Sequence, residues 1–429
     1  MLSHVLAPAM ARRGVHYGWA VVAVTFLTML ATSAAMGMPG VLLLPLQGEF
    51  GWDAGQISAA LALRLLLFGL VAPFGAALMQ RYGMRGVVVS ALAMIVAGLA
   101  LATRMTALWE LWITWGLMLG LATGMTATVL GATVANRWFV KRRGLVIGLL
   151  SASSATGQLL FLPVAAWLSD HMGWRMAMLP AGGACLACLV LVLLVVRDHP
   201  GEVNLPSYGD MTVAPPPPRN PGNAVRLSLN ALANASRTRS FWVLFGTFFV
   251  CGLSTNGLVQ NHFIPLCHDF GMDAVAASGV LAMMGVCDFF GTIGSGWLSD
   301  RLDNRWLLFW YYGLRGISLL ILPYSNFSLY GLSLFAVFYG LDWIATVPPT
   351  VKLAGQAFGR EQAPLVFGWV FTAHQLGAAA AALGAGVSRD MLASYLPAFA
   401  GAGVMCLVAG CAALAMRRRA GGEAVLAAH

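Results

Sequence analysis

Apolar stretches recur from one end of the chain to the other, each interrupted by a short charged or turn-forming segment. Twelve can be marked, at about 18–45, 55–79, 86–102, 107–131, 144–168, 176–196, 241–265, 275–299, 306–323, 328–351, 363–386 and 394–416. They match the roughly 20 residues that a helix needs to cross a hydrocarbon core of about 30 Å. The pattern predicts an all-α membrane protein of twelve transmembrane helices, hereafter spans 1 to 12. Span 1 follows Arg12 and Arg13 but runs far past the length of a secretory signal, through a Gly/Ala/Met-rich middle into Pro39 and Pro45, and is expected to remain uncleaved.

Composition strengthens this picture. Of the 429 residues 59% are hydrophobic and 10% charged, where a soluble domain carries roughly 25% charged residues. The 49 glycines and runs of small residues suit close packing between membrane helices, where backbone approach drives association. The net charge of +9 would fit a nucleic-acid partner if it were clustered. Instead, twenty of the 25 Lys and Arg residues fall in one set of alternate loops and at the termini, three (Arg104, Arg175, Arg389) in the other set, and two (Arg64, Arg315) inside spans. That asymmetry puts both termini in the cytoplasm of a multi-pass cell-membrane protein and makes the basic excess topogenic. Arginine outnumbers lysine heavily, which together with the Ala/Gly richness points to a GC-rich bacterial genome. The seven cysteines imply no disulfide, and Cys185-x-x-Cys188 lies in an apolar span where neither metal nor redox chemistry has polar support.

The one long polar stretch, 198–240, contains Pro215 to Pro218 and reads as a cytoplasmic linker. It separates an N-terminal six-helix half, 1–197, from a C-terminal half, 241–416, followed by a cytoplasmic tail, 417–429. A constant offset of 220 residues superposes Gln80-Arg81 and Arg85 on Asp300-Arg301 and Arg305, Gly148 on Gly368, Gly157 on Gly377 and Asp170 on Asp390. Repeated halves about an axis along the membrane normal are a transporter plan, with the solute bound between them near the midplane.

The run Gly296-Trp297-Leu298-Ser299-Asp300-Arg301-Leu302-Asp303-Asn304-Arg305 resembles the loop signature of the major facilitator superfamily; its first-half copy has Ala76 and Gln80 where the pattern prefers Gly and Asp. Tyr17-Gly18-Trp19-Ala20-Val21-Val22, Trp138-Phe139-Val140-Lys141-Arg142-Arg143-Gly144 and Gly173-Trp174-Arg175 resemble the monocarboxylate porter branch and the related oxalate/formate antiporters. The resemblance runs nearly end to end. It implies two pseudo-symmetric halves that alternate access, with Asp300, Arg301 and Arg305 as a gating loop that latches one conformation.

Ionisable groups inside a membrane cost several kcal/mol and ask for a partner or a wet cavity. Arg64 in span 2 has no acid at similar depth in its own half. Three readings stand: a carboxylate-bearing solute held by the planar fork of the guanidinium, snorkelling of the side chain, or an acid from the other half. The resemblance places span 2 against span 11, bringing His374 and Gln375 to the same seam as solute contacts, with His374 alternatively a proton site or an interhelical hydrogen-bond partner. Arg315 and Asp342, at equal depth in spans 9 and 10, read as a structural ion pair. Asp288 is a coupling candidate: the porters carry an Asp there with an Arg one turn later, where this chain has Thr292, and their first-span lysine has no counterpart. In span 7, which lines the cavity in the resembled fold, Asn256 and Gln260 share a helix face and offer donors to a carboxylate, or else serve as glue between helices. Pro348-Pro349 is expected to break span 10.

The predicted function is secondary transport of a small organic anion, a monocarboxylate first, with H+ or a counter-anion as coupling ion and the lipid bilayer as the other partner. A drug or metabolite exporter of the same superfamily and a membrane sensor are the alternatives. No phosphate loop, His-Glu-x-x-His site or Ser/His/Asp constellation supports an enzyme or a cofactor.

Overall fold

The computed structural model describes residues 3–52, 54–126, 128–213, 223–272 and 274–416; Pro215 to Pro218 of the linker and the tail 417–429 lie outside the described residues. Ten segments among the described residues are long and apolar enough to cross a membrane, from Gly18–Met36 to Leu396–Leu414. The helices Arg143–Met172 and Leu329–Leu341 supply the other two of the twelve. The fold is all-α, as the hydropathy pattern predicts.

Several spans are interrupted. Span 1 is two helices, Gly18–Gly37 and Pro39–Phe50, meeting at Met38. Spans 4 and 7 each contain a stretch of π-helix, Trp112–Leu119 and Leu253–Val259. Span 10 ends its first helix at Leu341, turns through 342–346 and restarts at Val347. The second piece runs on into span 11 across Gly359, whose φ of 79° marks the real boundary between them. The sequence reading placed the break of span 10 at the Pro348-Pro349 pair. The structure places it one turn earlier, because proline fits the first turn of a helix, where its missing N–H has no partner to lose.

The 220-residue offset has a packing counterpart. A β-carbon on Gly157 would collide with Leu30 of span 1, and one on Gly377 with Phe249 of span 7. Gly148 is pressed against Thr292 and Gly296 of span 8, and Gly368 against Pro73 of span 2. Corresponding glycines therefore do corresponding work: one lets its helix approach the first helix of its own half, the other lets it approach the opposite half.

The face that carries the linker, the linker face, is closed by contacts between halves. Gln80 Nε2 donates to the Glu361 carbonyl at 2.6 Å, and Trp369 Nε1 to the Ser228 carbonyl of the linker helix Ala224–Ala235 at 3.0 Å. Residues just before that helix are fastened to the first half: Tyr208 exchanges backbone hydrogen bonds with Trp138 and Val140, and His16 Nε2 meets the Pro206 carbonyl at 2.9 Å. On the opposite face each half has its own staple. Arg175 binds Glu49 with both prongs, at 2.7 and 2.8 Å, and Arg389 binds Asp269 at 2.8 Å. The hydrogen bonds from Arg175 and Trp174 hold the Glu49 carboxyl below its ordinary range.

Candidate functional site

A proline inside a helix leaves the carbonyl four residues earlier without its donor, and in lipid that oxygen needs a substitute. Pro39 frees Ala35 O in span 1, and Arg64 Nη1 of span 2 takes it at 3.3 Å. Pro73 frees Gly69 O in span 2, and the hydroxyl of Thr372 in span 11 takes it at 3.0 Å. The N–H that Pro349 lacks would have faced Ala345 O, and Ser295 of span 8 serves that oxygen at 2.5 Å. Two of these substitutes are groups at or beside the seam between halves.

Arg64 is 4% exposed. Its hold on Ala35 O is long, its Nε is buried without a partner, and among the described residues no carboxylate pairs with it. Gly120 of span 4 packs against its backbone. Five residues further along span 2, Gly69 faces the Gln375 side chain so closely that a β-carbon there would lie 2.7 Å from it. Gln375 is thus on the seam, about 7.5 Å along the helix axis from the level of Arg64. His374 is not on that face. Its ring packs inside the second half, 5.1 Å from Phe248 and stacked at 5.8 Å on Phe371, and its Nδ1 is buried without a partner. The structure does not bring Arg64 and His374 into contact.

The break in span 10 is held by opposite charges on either side of its turn. Just past the C-terminal end of Leu329–Leu341, Arg315 donates to the carbonyls of Asp342 and Trp343, the latter at 3.0 Å, and pairs with the Asp342 carboxylate at 2.8 Å. Its other prong reaches Cys251 Sγ at 3.2 Å and Ser254 Oγ at 3.4 Å. Within the same turn Asp288 accepts from Ile344 N at 2.8 Å and from Thr292 Oγ1 at 2.7 Å. The peptide unit between Trp343 and Ile344 is therefore gripped from both sides, its carbonyl by a guanidinium and its amide by a carboxylate, so that a backbone break in the membrane keeps its polar groups satisfied. Asp288 and Arg315 thus meet at one backbone break, which spacing alone did not reveal. Each acid keeps one buried oxygen without a partner, Asp288 Oδ2 and Asp342 Oδ1.

In span 7 the polar cluster straddles the π-helix. Asn261 Nδ2 donates to the carbonyls of Asn256, at 2.7 Å, and Gly257, at 3.3 Å, and so covers acceptors that the wider turn leaves over. The side chains of Asn256 and Gln260 are half-buried and exposed respectively. His262 Nε2 binds the Ala382 carbonyl of span 11 at 3.1 Å.

On the linker face Asp300 does not pair with Arg301 or Arg305. It accepts from Gly144 N at 2.9 Å and Leu145 N at 3.0 Å, the free amides at the start of span 5, and from Lys352 Nζ at 2.8 Å. A second-half carboxylate thereby caps a first-half helix. Arg305 turns back to Asp303 at 2.6 Å and to the Met416 carbonyl at 3.0 Å, while Arg301 lies over the Trp297 ring at 3.8 Å. Gly144 closes one of the motif segments and Lys352 stands at the linker end of span 10, but nothing in the linear pattern pairs Gly144 with Asp300 across the halves.

The family model for the Major Facilitator Superfamily matches residues 24–382. Monocarboxylate transporter 13 of Rattus norvegicus is 26% identical over 402 residues, covering 91% of this chain and 87% of its own length. An uncharacterized MFS-type transporter of Bacillus subtilis, YcxA, is 22% identical, with 88% and 90% covered. Among solved structures, that of the human organic anion transporter MFSD10 superposes with a TM-score of 0.69 at 16% identity, covering 92% of this chain and 99% of that one.

Proposed function

The chain belongs to the Major Facilitator Superfamily, and on that premise we propose that it carries a small organic anion, a monocarboxylate above all, between its two halves by alternating access. That it is a membrane transporter and not an enzyme follows from the family and the fold.

The observation that carries the choice of solute is Arg64. A buried guanidinium with no carboxylate among the described residues, one long bond to a neutral carbonyl and an unpartnered Nε is a charge whose desolvation those residues do not offset. A solute carboxylate supplies the missing charge and both oxygens for the fork. Gln375 on the seam and Asn256 and Gln260 on span 7 are the further donors in this reading, and His374 is the titratable group behind the seam. The name of the similar rat protein, a monocarboxylate transporter, agrees with an anionic solute. Segments 1–197 and 241–416 rock against each other about the linker 198–240, which with both termini lies in the cytoplasm of the cell membrane. The Asp300 cap on span 5 holds the linker face shut, with Lys352 of its own half fixing the carboxylate, and releases when the face opens.

Uptake of radiolabelled lactate-class carboxylates into proteoliposomes tests the reading, once with an imposed pH gradient and once with internal counter-anion. Acceleration by the pH gradient identifies proton symport, and acceleration by internal anion identifies exchange. Transport of neutral hydrophobic compounds with no carboxylate flux would replace this reading by that of an exporter.

A further inference from the structure

Away from the seam, at the linker face, two cations from opposite halves converge on one neutral oxygen. Arg143 Nε donates to the Phe139 carbonyl at 3.2 Å, and Arg360 Nη2 reaches the same oxygen at 3.4 Å. A single carbonyl does not neutralise two guanidinium groups. The nearby carboxylate, Asp300, is already engaged by two backbone amides and Lys352. Burial and the neighbouring Arg360 charge push Arg143, at the loop end of span 5, down to about 10, with Asp300 opposing.

Beside this pair lies an amide with nothing to bind. Asn136 is 7% exposed, and neither its Oδ1 nor its Nδ2 has a partner. A buried amide left open on both sides is uncommon and costly. It faces Gly355 of the second half: a β-carbon built there would lie 3.7 Å from Arg143 Nη1 and 3.9 Å from Asn136 Oδ1, with nothing nearer. Arg360, the other cation of the cluster, is exposed.

We propose that this cluster binds a small oxyanion of the phosphate, sulfate or carboxylate class, held by Arg143 and Asn136 of the first half and Arg360 of the second. The Asn136 amide turns Nδ2 to the anion by a half-turn of its terminal torsion and forfeits no existing bond. The guanidinium groups supply planar forks matched to oxyanion geometry. Because donors come from both halves, a bound anion bridges them and favours the closed linker face; opening that face requires its release. The site does not depend on Arg64 or on the identity of the transported solute. A free anion and the phosphate of a lipid headgroup share this chemistry.

The test uses full-length protein in nanodiscs and reads its thermal unfolding temperature. One arm titrates inorganic phosphate against chloride at equal ionic strength in purely zwitterionic lipid. The other replaces part of the lipid by phosphatidylglycerol without phosphate. A saturable rise in the first arm assigns a soluble anion, and a rise confined to the second assigns a headgroup. In the responding arm Arg360→Gln, a change at an exposed side chain, is expected to weaken the apparent affinity by roughly tenfold or more. Gly355→Ala sets a methyl group against Arg143 Nη1 and Asn136 Oδ1 without a steric clash and without removing charge, and is expected to weaken it as well. No saturable response in either arm, or a response unchanged in both variants, overturns the proposal.

Discussion

The hydroxyl of Thr372, in span 11, donates across the seam to the Gly69 carbonyl of span 2 at 3.0 Å, and the Gly368 carbonyl of its own helix lies 3.2 Å from the same hydroxyl. One proton serves two oxygens, one in each half. Gly69 O has no helical donor because Pro73 lacks the N–H that would face it. When the halves separate, Thr372 falls back on Gly368 and Gly69 O loses its donor, so the bond favours the closed seam. Thr372→Val keeps the shape and removes the donor. At about 0.5–1.5 kcal/mol for a net hydrogen bond, it is expected to raise the open-to-closed ratio about two- to tenfold. Maleimide labelling of a single cysteine placed at the linker face of span 11 measures that ratio, and unchanged labelling would show that the bond carries no bias.

Asp300 links the same two bodies by another means, a carboxylate on the first amides of span 5. Asp300→Asn removes the charge that the helix end and Lys352 both use. Slower transport at normal expression and insertion is the expected outcome. A normal rate would reduce Asp300 to a topogenic residue.

The Arg315/Asp342 pair is fully buried on the arginine side and nearly so on the acid side. Removing one partner strands a buried charge at a cost of about 3–5 kcal/mol, so Arg315→Gln and Asp342→Asn are each expected to lower folded yield. The double variant is expected to recover part of the loss. Recovery stays incomplete because Arg315 also serves the carbonyls of Asp342 and Trp343. Strictly additive losses, read by size-exclusion yield in detergent, would count against the pair.

For Asp288 the structure offers a role separate from any proton traffic. Its Oδ1 caps Ile344 N in the turn that interrupts span 10. Asp288→Asn keeps an oxygen for that amide, whereas Asp288→Ala leaves it buried and open at about 1–3 kcal/mol. Unfolding temperature is therefore expected to hold in Asn and fall in Ala. Equal falls in both would contradict the capping role.

The twelve spans and the repeat were legible because lipid imposes one rule on every residue of a span, and hydropathy records it. The glycine landmarks were legible for a related reason, since helices that touch backbone to backbone admit no side chain. Partnerships at the site were not legible. Asp288 reads as an isolated acid in the sequence, and only the turn at 342–346 reveals the amide it serves. Lys352 and Asp300 meet because the helix that restarts at Val347 lies beside the end of span 8, where Lys352 also reaches the Ser299 carbonyl. His374 and Gln375 are neighbours in sequence, yet a helix turns about 100° per residue, which sends one ring inward and the other side chain to the seam. The π-helices of spans 4 and 7 left no trace in composition.

The central claim is that Arg64 holds the solute carboxylate, and equilibrium binding to Arg64→Gln tests it most directly. Asp288 is already committed to Thr292 and Ile344, and Asp342 to Arg315, so neither competes for Arg64. Among the described residues Arg64 holds Ala35 O, by one long bond, and losing that contact is expected to leave folding largely intact. Arg64→Lys, with a point charge in place of a fork, is expected to weaken carboxylate affinity by roughly tenfold to a hundredfold. Arg64→Gln is expected to abolish it in a protein that elutes as a folded monodisperse species. Normal carboxylate affinity in well-folded Arg64→Gln would contradict the assignment and move the anion site elsewhere in the seam.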